Sequence, residues 1–102
     1  MYARNVRMKL QSNSAAEFTH TLEEEIIPLL RRQKGFQQEI SFVAPDRNEA
    51  VAISFWDEKA NAEAYTRETY PEVLKILSKV VWGTPRVETF EIVNATFHQI
   101  AP

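Results

Sequence analysis

The order of elements written into these 102 residues, β-α-β-β-α-α-β, predicts an α+β domain. Its expected form is a ferredoxin-like split β-α-β, a four-stranded antiparallel sheet with helices on one side. Two observations carry this expectation. Apolar residues recur with period two, then with helical period, then with period two again along the chain. Strands three and four are also apolar on both faces, although helices can cover only one face of such a sheet.

Strand one is YARNVRMKL, with Tyr2, Val6, Met8 and Leu10 on one face and Arg4, unexpectedly, among them. Ser14 followed by Glu17 reads as a capping box for a helix that runs to about Gln33 and stops at Gly35. Ala15, Phe18, Leu22, Ile26, Leu29 and Leu30 form its apolar stripe, and Pro28 is expected to bend it. FQQEISFVA is strand two, with Phe36, Ile40 and Phe42 on one face; PDRNE is a turn. In strand three, AVAISFW, Val51, Ile53 and Phe55 face one way and Ala50, Ala52, Ser54 and Trp56 the other. Asp57 suits the N-cap of a short helix to about Arg67 with Ala60, Asn61, Ala64 and Tyr65 inward. A third helix has Pro71 in its first turn and Tyr70, Val73, Leu74, Leu77, Val80 and Val81 on one side. WGTP breaks it, and RVETFEIVNATFHQIA is the final strand, with Phe90 and Ile92 on one face and Val93 and Phe97 on the other.

Composition narrows the function. The length fits one domain, residues 1–102. No apolar run approaches the ~20 residues of a membrane span, and the charged start MYARNVRMKL does not read as a signal peptide. A net charge of −2 with interspersed signs leaves no basic footprint for nucleic acid. The absence of cysteine excludes disulfides and thiolate sites and suits a reducing cytoplasm. The only glycines, Gly35 and Gly83, make no phosphate loop, so no nucleotide cofactor is expected. His20 reads as a surface residue and His98 has no second histidine at ligand spacing, so no metal is expected either. The second apolar sheet face predicts a homodimer packed through it.

Several residues are candidates for a site. Trp56 shares its face with Ala50, Ala52 and Ser54, whose small side chains leave volume. Phe18, Leu22 and Leu77 can fill that space, making Trp56 a core aromatic, or a pocket remains with Trp56 at its edge. Arg4 either snorkels from the strand end or is buried, and a buried guanidinium must be paired or face a cavity holding water or an anion. Asn61 and Tyr65 lie one helical turn apart and can orient a polar ligand; Tyr70 reads the same way, and Phe42 joins Phe18 as a candidate ligand contact.

The FWDEKANAEAY junction, with its F-W-D-E-K-x-x-x-E-A-Y pattern, and IPLLRRQKGF resemble the antibiotic biosynthesis monooxygenase-like family over nearly the whole chain. The Trp56–Asp57 pair and Gly35–Phe36 are the markers. This resemblance implies a dimeric α+β barrel in which two sheets pack face to face. It also implies a pocket between sheet and helices, lined by Trp56, where oxygen reacts with an electron-rich aromatic or quinol-like molecule without a cofactor. An asparagine found four residues before the tryptophan in one branch is Ala52 here. Histidines nine and fourteen residues after it in another are Tyr65 and Tyr70. Haem degradation is not expected, since the corresponding positions hold approximately Val6, Tyr65 and Lys75. The resulting expectation is a monooxygenase with Trp56 and Tyr65 at the reacting centre, Arg4 stabilising an anion, and Phe18, Phe42, Asn61 and Tyr70 contacting substrate. The alternatives are a non-catalytic small-molecule-binding or stress-response dimer, or an interaction scaffold with a closed core. No side chain reads as an obvious base.

Overall fold

The computed structural model describes residues 1–96. The elements are β1 (Tyr2–Leu10), α1 (Ala15–Thr21), a π-helical segment (Leu22–Ile26), α2 (Ile27–Arg31), β2 (Phe36–Ala44), β3 (Glu49–Trp56), α3 (Lys59–Glu68), α4 (Tyr70–Leu77) and β4 (Val81–Glu91). Every strand pair is antiparallel, and the four-stranded sheet has the order β2-β3-β1-β4. This is the expected ferredoxin-like arrangement, with the helices on one face.

Trp56 is fully buried at the centre of the core, with Phe18, Leu22, Ile26 and Leu30 from the first helical run and Tyr65, Val73 and Leu77 from α3 and α4. Phe36 meets the Trp56 ring edge-on at 5.7 Å. The α1–α2 run is not one bent α-helix. Pro28 has no N–H to give the Glu24 carbonyl, and just before it the ladder widens so that Ile27 N–H bonds to Leu22 O.

Several local expectations are corrected. Ser14 precedes α1 but makes no side-chain cap; its hydroxyl donates to Ser12 O instead. Asp57 does not cap α3, which begins at Lys59. In α3 the buried positions are Ala62 and Tyr65, while Ala60 is exposed. Val81 opens β4 rather than ending a helix, and WGTP lies within that strand, opposite a register shift between Arg7 and Lys9. The strand stops at Glu91, and Phe97 and His98 lie outside the described residues.

One irregularity in β2 matters most. Phe36 pairs with Trp56, but Gln38 pairs with Phe55, so Gln37 is an extra residue. Such a bulge moves the following side chains to the opposite faces. Phe36 therefore lies on the helix side while Ile40 and Phe42, opposite Ile53 and Val51, lie on the open side. The expectation that all three share one face is overturned.

Candidate functional site

The bulge places Glu39 on the helix-covered face, in register with Ser54, which is itself in register with Arg4. Glu39, Ser54 and Arg4 thus form one row across β2, β3 and β1 beneath the helices. Small residues on β3 leave space over this row. A cavity of about 40 Å³ remains, lined by Glu39, Ala52, Ser54, Tyr65 and Tyr70 and roofed by side chains that include Leu22 and Ile26 of the π segment. The π turn thus contributes to the wall of the space, a placement common for such turns at functional sites.

Arg4 is only 2% exposed. It does not snorkel. Its Nε–H donates to Thr66 Oγ1 at 2.8 Å, and its guanidinium carbon lies 3.9 Å from the Tyr70 ring centre and 5.1 Å from that of Tyr65. Among the described residues it has no ion-pair partner within reach, and a buried terminal nitrogen has no hydrogen-bond partner. The Tyr70 hydroxyl, also buried, has no hydrogen bond of good geometry, and its polar neighbour is the Arg4 guanidinium itself, which opposes the rise of its pKa. Burial lowers the Arg4 pKa while the two tyrosines raise it, and a guanidinium remains charged regardless. Cation–π contact supplies part of the lost solvation.

The other polar groups are tuned by the same burial. Desolvation pushes the Tyr65 phenol up to about 12, opposed by Arg4, and it also raises Tyr70, opposed by the charge and hydrogen bonding of Arg4. Burial also raises the Glu39 carboxyl, opposed by a hydrogen bond from the Ser41 hydroxyl. Trp56 Nε1–H donates to Ser54 Oγ at 2.9 Å, so the indole is oriented by the row it borders. Its ring centre lies 5.1 Å from that of Tyr65.

The candidate residues separate into groups. Tyr65 and Tyr70 line the cavity beside Ser54, while Arg4 and Trp56 lie behind them, Arg4 against both tyrosine rings and Trp56 against Tyr65 and Ser54, without lining it. Phe18 is fully buried in the core without lining the cavity. Phe42 is on the opposite face of the sheet, half exposed, and cannot contact a ligand in this cavity. Asn61 is turned aside as well: its Nδ2 donates to Asp57 Oδ1 at 2.8 Å, and it does not line the cavity. Sequence reasoning misses Glu39, because an uninterrupted period of two from Phe36 puts it on the other face. The signal that could have revealed it is Phe36 itself, an aromatic after Gly35 whose match to Trp56 leaves Ile40 and Phe42 out of phase.

No protein-family model and no curated protein matches the chain. Solved structures do. SnoaB, a cofactor-independent oxygenase from Streptomyces nogalater, superposes with TM-score 0.75 at 17% identity, covering 92% of this chain and 94% of that one. A Bordetella bronchiseptica protein assigned by name alone to the antibiotic biosynthesis monooxygenases gives 0.78 at 16% identity, over 91% and 97%. A Nitrosomonas europaea protein of unknown function gives 0.76 at 16% identity, over 93% and 91%. At these identities the likeness establishes the fold. It is the fold of the antibiotic biosynthesis monooxygenase-like structures, as the Trp56–Asp57 junction implied, and neighbours of unknown function share it.

Proposed function

We propose that this chain is a cofactor-independent monooxygenase for a small aromatic or quinol-like molecule, bound between sheet and helices in each subunit of a cytoplasmic homodimer. The observation that carries the reading is Arg4: a buried cation without a counter-ion among the described residues, packed behind Tyr65 and Tyr70, which line a mainly apolar cavity. An unpaired buried charge costs several kcal/mol. A bound phenolate, and the peroxide anion formed from it, would supply the missing partner. In the reaction one atom of oxygen enters the ring and the other leaves as water, so an electron-rich anion serves as reductant. Arg4 and Tyr70 stabilise the anionic stages, an effect of about 3–4 kcal/mol in oxyanion holes. Trp56 backs the wall by holding Ser54 and packing on Tyr65, and Tyr65, with a phenol pKa of about 12, acts as a hydrogen-bonding group rather than a base.

Size sets a condition. About 40 Å³ admits a few water molecules, whereas a benzene ring occupies a cavity of ~150 Å³. Leu22 and Ile26 on the π turn must therefore move aside when substrate enters. Oxygen uptake with a panel of hydroquinones and anthrones tests the proposal. Wild type should turn over at least one of them, and Trp56→Phe and Arg4→Met should each lower the rate, Arg4→Met by about 100-fold. Uptake by wild type no greater than by the two variants would end the oxygenase reading. A ligand bound but unchanged under air would favour a binding protein.

A further inference from the structure

Glu39 carries the strongest signal outside the residues just assigned. Sheet register puts it and Arg4 on the same face, on either side of Ser54. Two strand spacings separate their backbones, roughly 10 Å. Neither is in an ion pair among the described residues. Glu39 is the single carboxylate among the residues lining the cavity, and the Ser41 hydroxyl is its one hydrogen-bond donor among the described residues. Opposite charges on one row, Glu39 lining the cavity and Arg4 beyond Ser54 behind the lining residues Tyr65 and Tyr70, leave room for a third group between them. Nothing in the sheet requires a carboxylate here, since a glutamine would keep the hydroxyl contact and cost less to bury.

We infer that Glu39 is the proton acceptor of this site and that its ligand is a neutral, weakly acidic hydroxyl compound, a phenol or quinol. The inference rests on the reading of the site given above and supplies the base that reading lacks. In the step, the ligand O–H bond breaks, a carboxyl O–H bond forms on Glu39, and the electron pair stays on the ligand oxygen. No electron is transferred. Negative charge moves from Glu39 to the ligand, towards the Arg4 guanidinium, and the Ser41 hydroxyl positions the carboxylate. Burial favours the acceptor's neutral product, and a carboxyl raised towards the working pH is a better base than an ordinary one.

Proton counting tests this independently of turnover. The probe is 4-nitrophenol, yellow only as its anion, added at a pH where the free probe is largely neutral. Calorimetry in two buffers of different ionisation heat gives the protons released per probe bound. Wild type should bind the yellow anion and release no proton, because Glu39 retains it. Glu39→Gln should bind the probe colourless or release one proton per anion bound, and Glu39→Asp should behave like wild type. One proton released by wild type, or a colourless bound probe, overturns the inference; failure of wild type to bind the probe overturns it together with the reading of the site. If Glu39→Gln does not fold, the wild-type count alone decides. With an oxidisable hydroquinone, Glu39→Gln should slow oxygen uptake about 10²–10⁴-fold. A wild type that consumes no oxygen yet retains the probe's proton retires the oxygenase reading and leaves Glu39 as acceptor.

Discussion

Arg4 and Glu39 are two residues that stability alone would replace. The first is a buried cation with incomplete hydrogen bonding, the second a carboxylate whose neutral form the protein prefers. The Glu39 preference has a measurable sign. Its pKa is higher folded than unfolded, so the folded state holds its proton longer. Below the ordinary glutamate value of ~4.3 both states are protonated and the group is neutral in effect. As pH rises through that value and then through the raised folded one, the unfolded chain ionises first and stability is lost. The groups facing Glu39 are Ser41 and Ser54 on the sheet and Tyr65 on α3; the tyrosine remains neutral throughout this range. Denaturant unfolding should therefore show wild type losing stability relative to Glu39→Gln as pH rises above ~4.3, the difference becoming constant once Glu39 is ionised in both states. A difference that shrinks with rising pH would mean that the carboxylate, not the acid, is the form the fold favours.

At the level of elements, the Trp56 junction separates structural parts from chemical ones. Asp57 N–H bonds to Gly35 O at 2.9 Å, and the Asp57 carboxylate accepts from Asn61, so the end of β3, the start of α3 and the entrance to β2 are tied together. Gly35 has φ +83°, and a Cβ there would fall on the Asp57 carboxylate and the Asn61 amide. Gly35→Ala should lose at least about 1–3 kcal/mol from the backbone strain alone. That corresponds to a melting point lower by ~4–8 °C per kcal/mol, readable by calorimetry. An unchanged melting point would show that the junction tolerates a side chain. This clamp also explains what was legible in the sequence. The Gly35–Phe36 and Trp56–Asp57 markers identify the fold because they form this closure, and strand periodicity places Trp56, Ser54 and Arg4 under the helices. Asn61 departs from its expected role because its amide is taken by Asp57, four residues back at the end of β3. Glu39 and the π turn are hidden for a common reason. Each depends on a single-residue slip in hydrogen-bond register, at Gln37 and before Pro28, and regular periodicity cannot display such a slip.

For the whole molecule, the sheet face away from the helices is where the proposed dimer would form. It presents Ile40 and Phe42 from β2, Val51 and Ile53 from β3, and Trp82 and Phe90 from β4. Phe42 is 54% exposed, Phe90 51% and Trp82 71%. Each such side chain forfeits part of the roughly 1.5–3 kcal/mol that full burial supplies, and so many exposed apolar groups on one face are of the kind that marks an interface. Charged groups cross the same face, with Arg7 opposite both Val51 and Arg86. A two-fold pairing of identical faces would let aromatic residues meet, with Arg86 on the edge strand at the rim and Arg7 beside Glu49, 3.9 Å away. Light scattering should thus give a dimer at micromolar concentration. Phe42→Asp places a carboxylate on that face twice per dimer, and should yield a monomer with its melting transition concentration-independent. The cavity lies on the other side of the sheet, so the monomeric variant should still bind 4-nitrophenol. A wild type that remains monomeric at micromolar concentration would show that this face has another use, and would separate the dimer from the chemistry of the pocket.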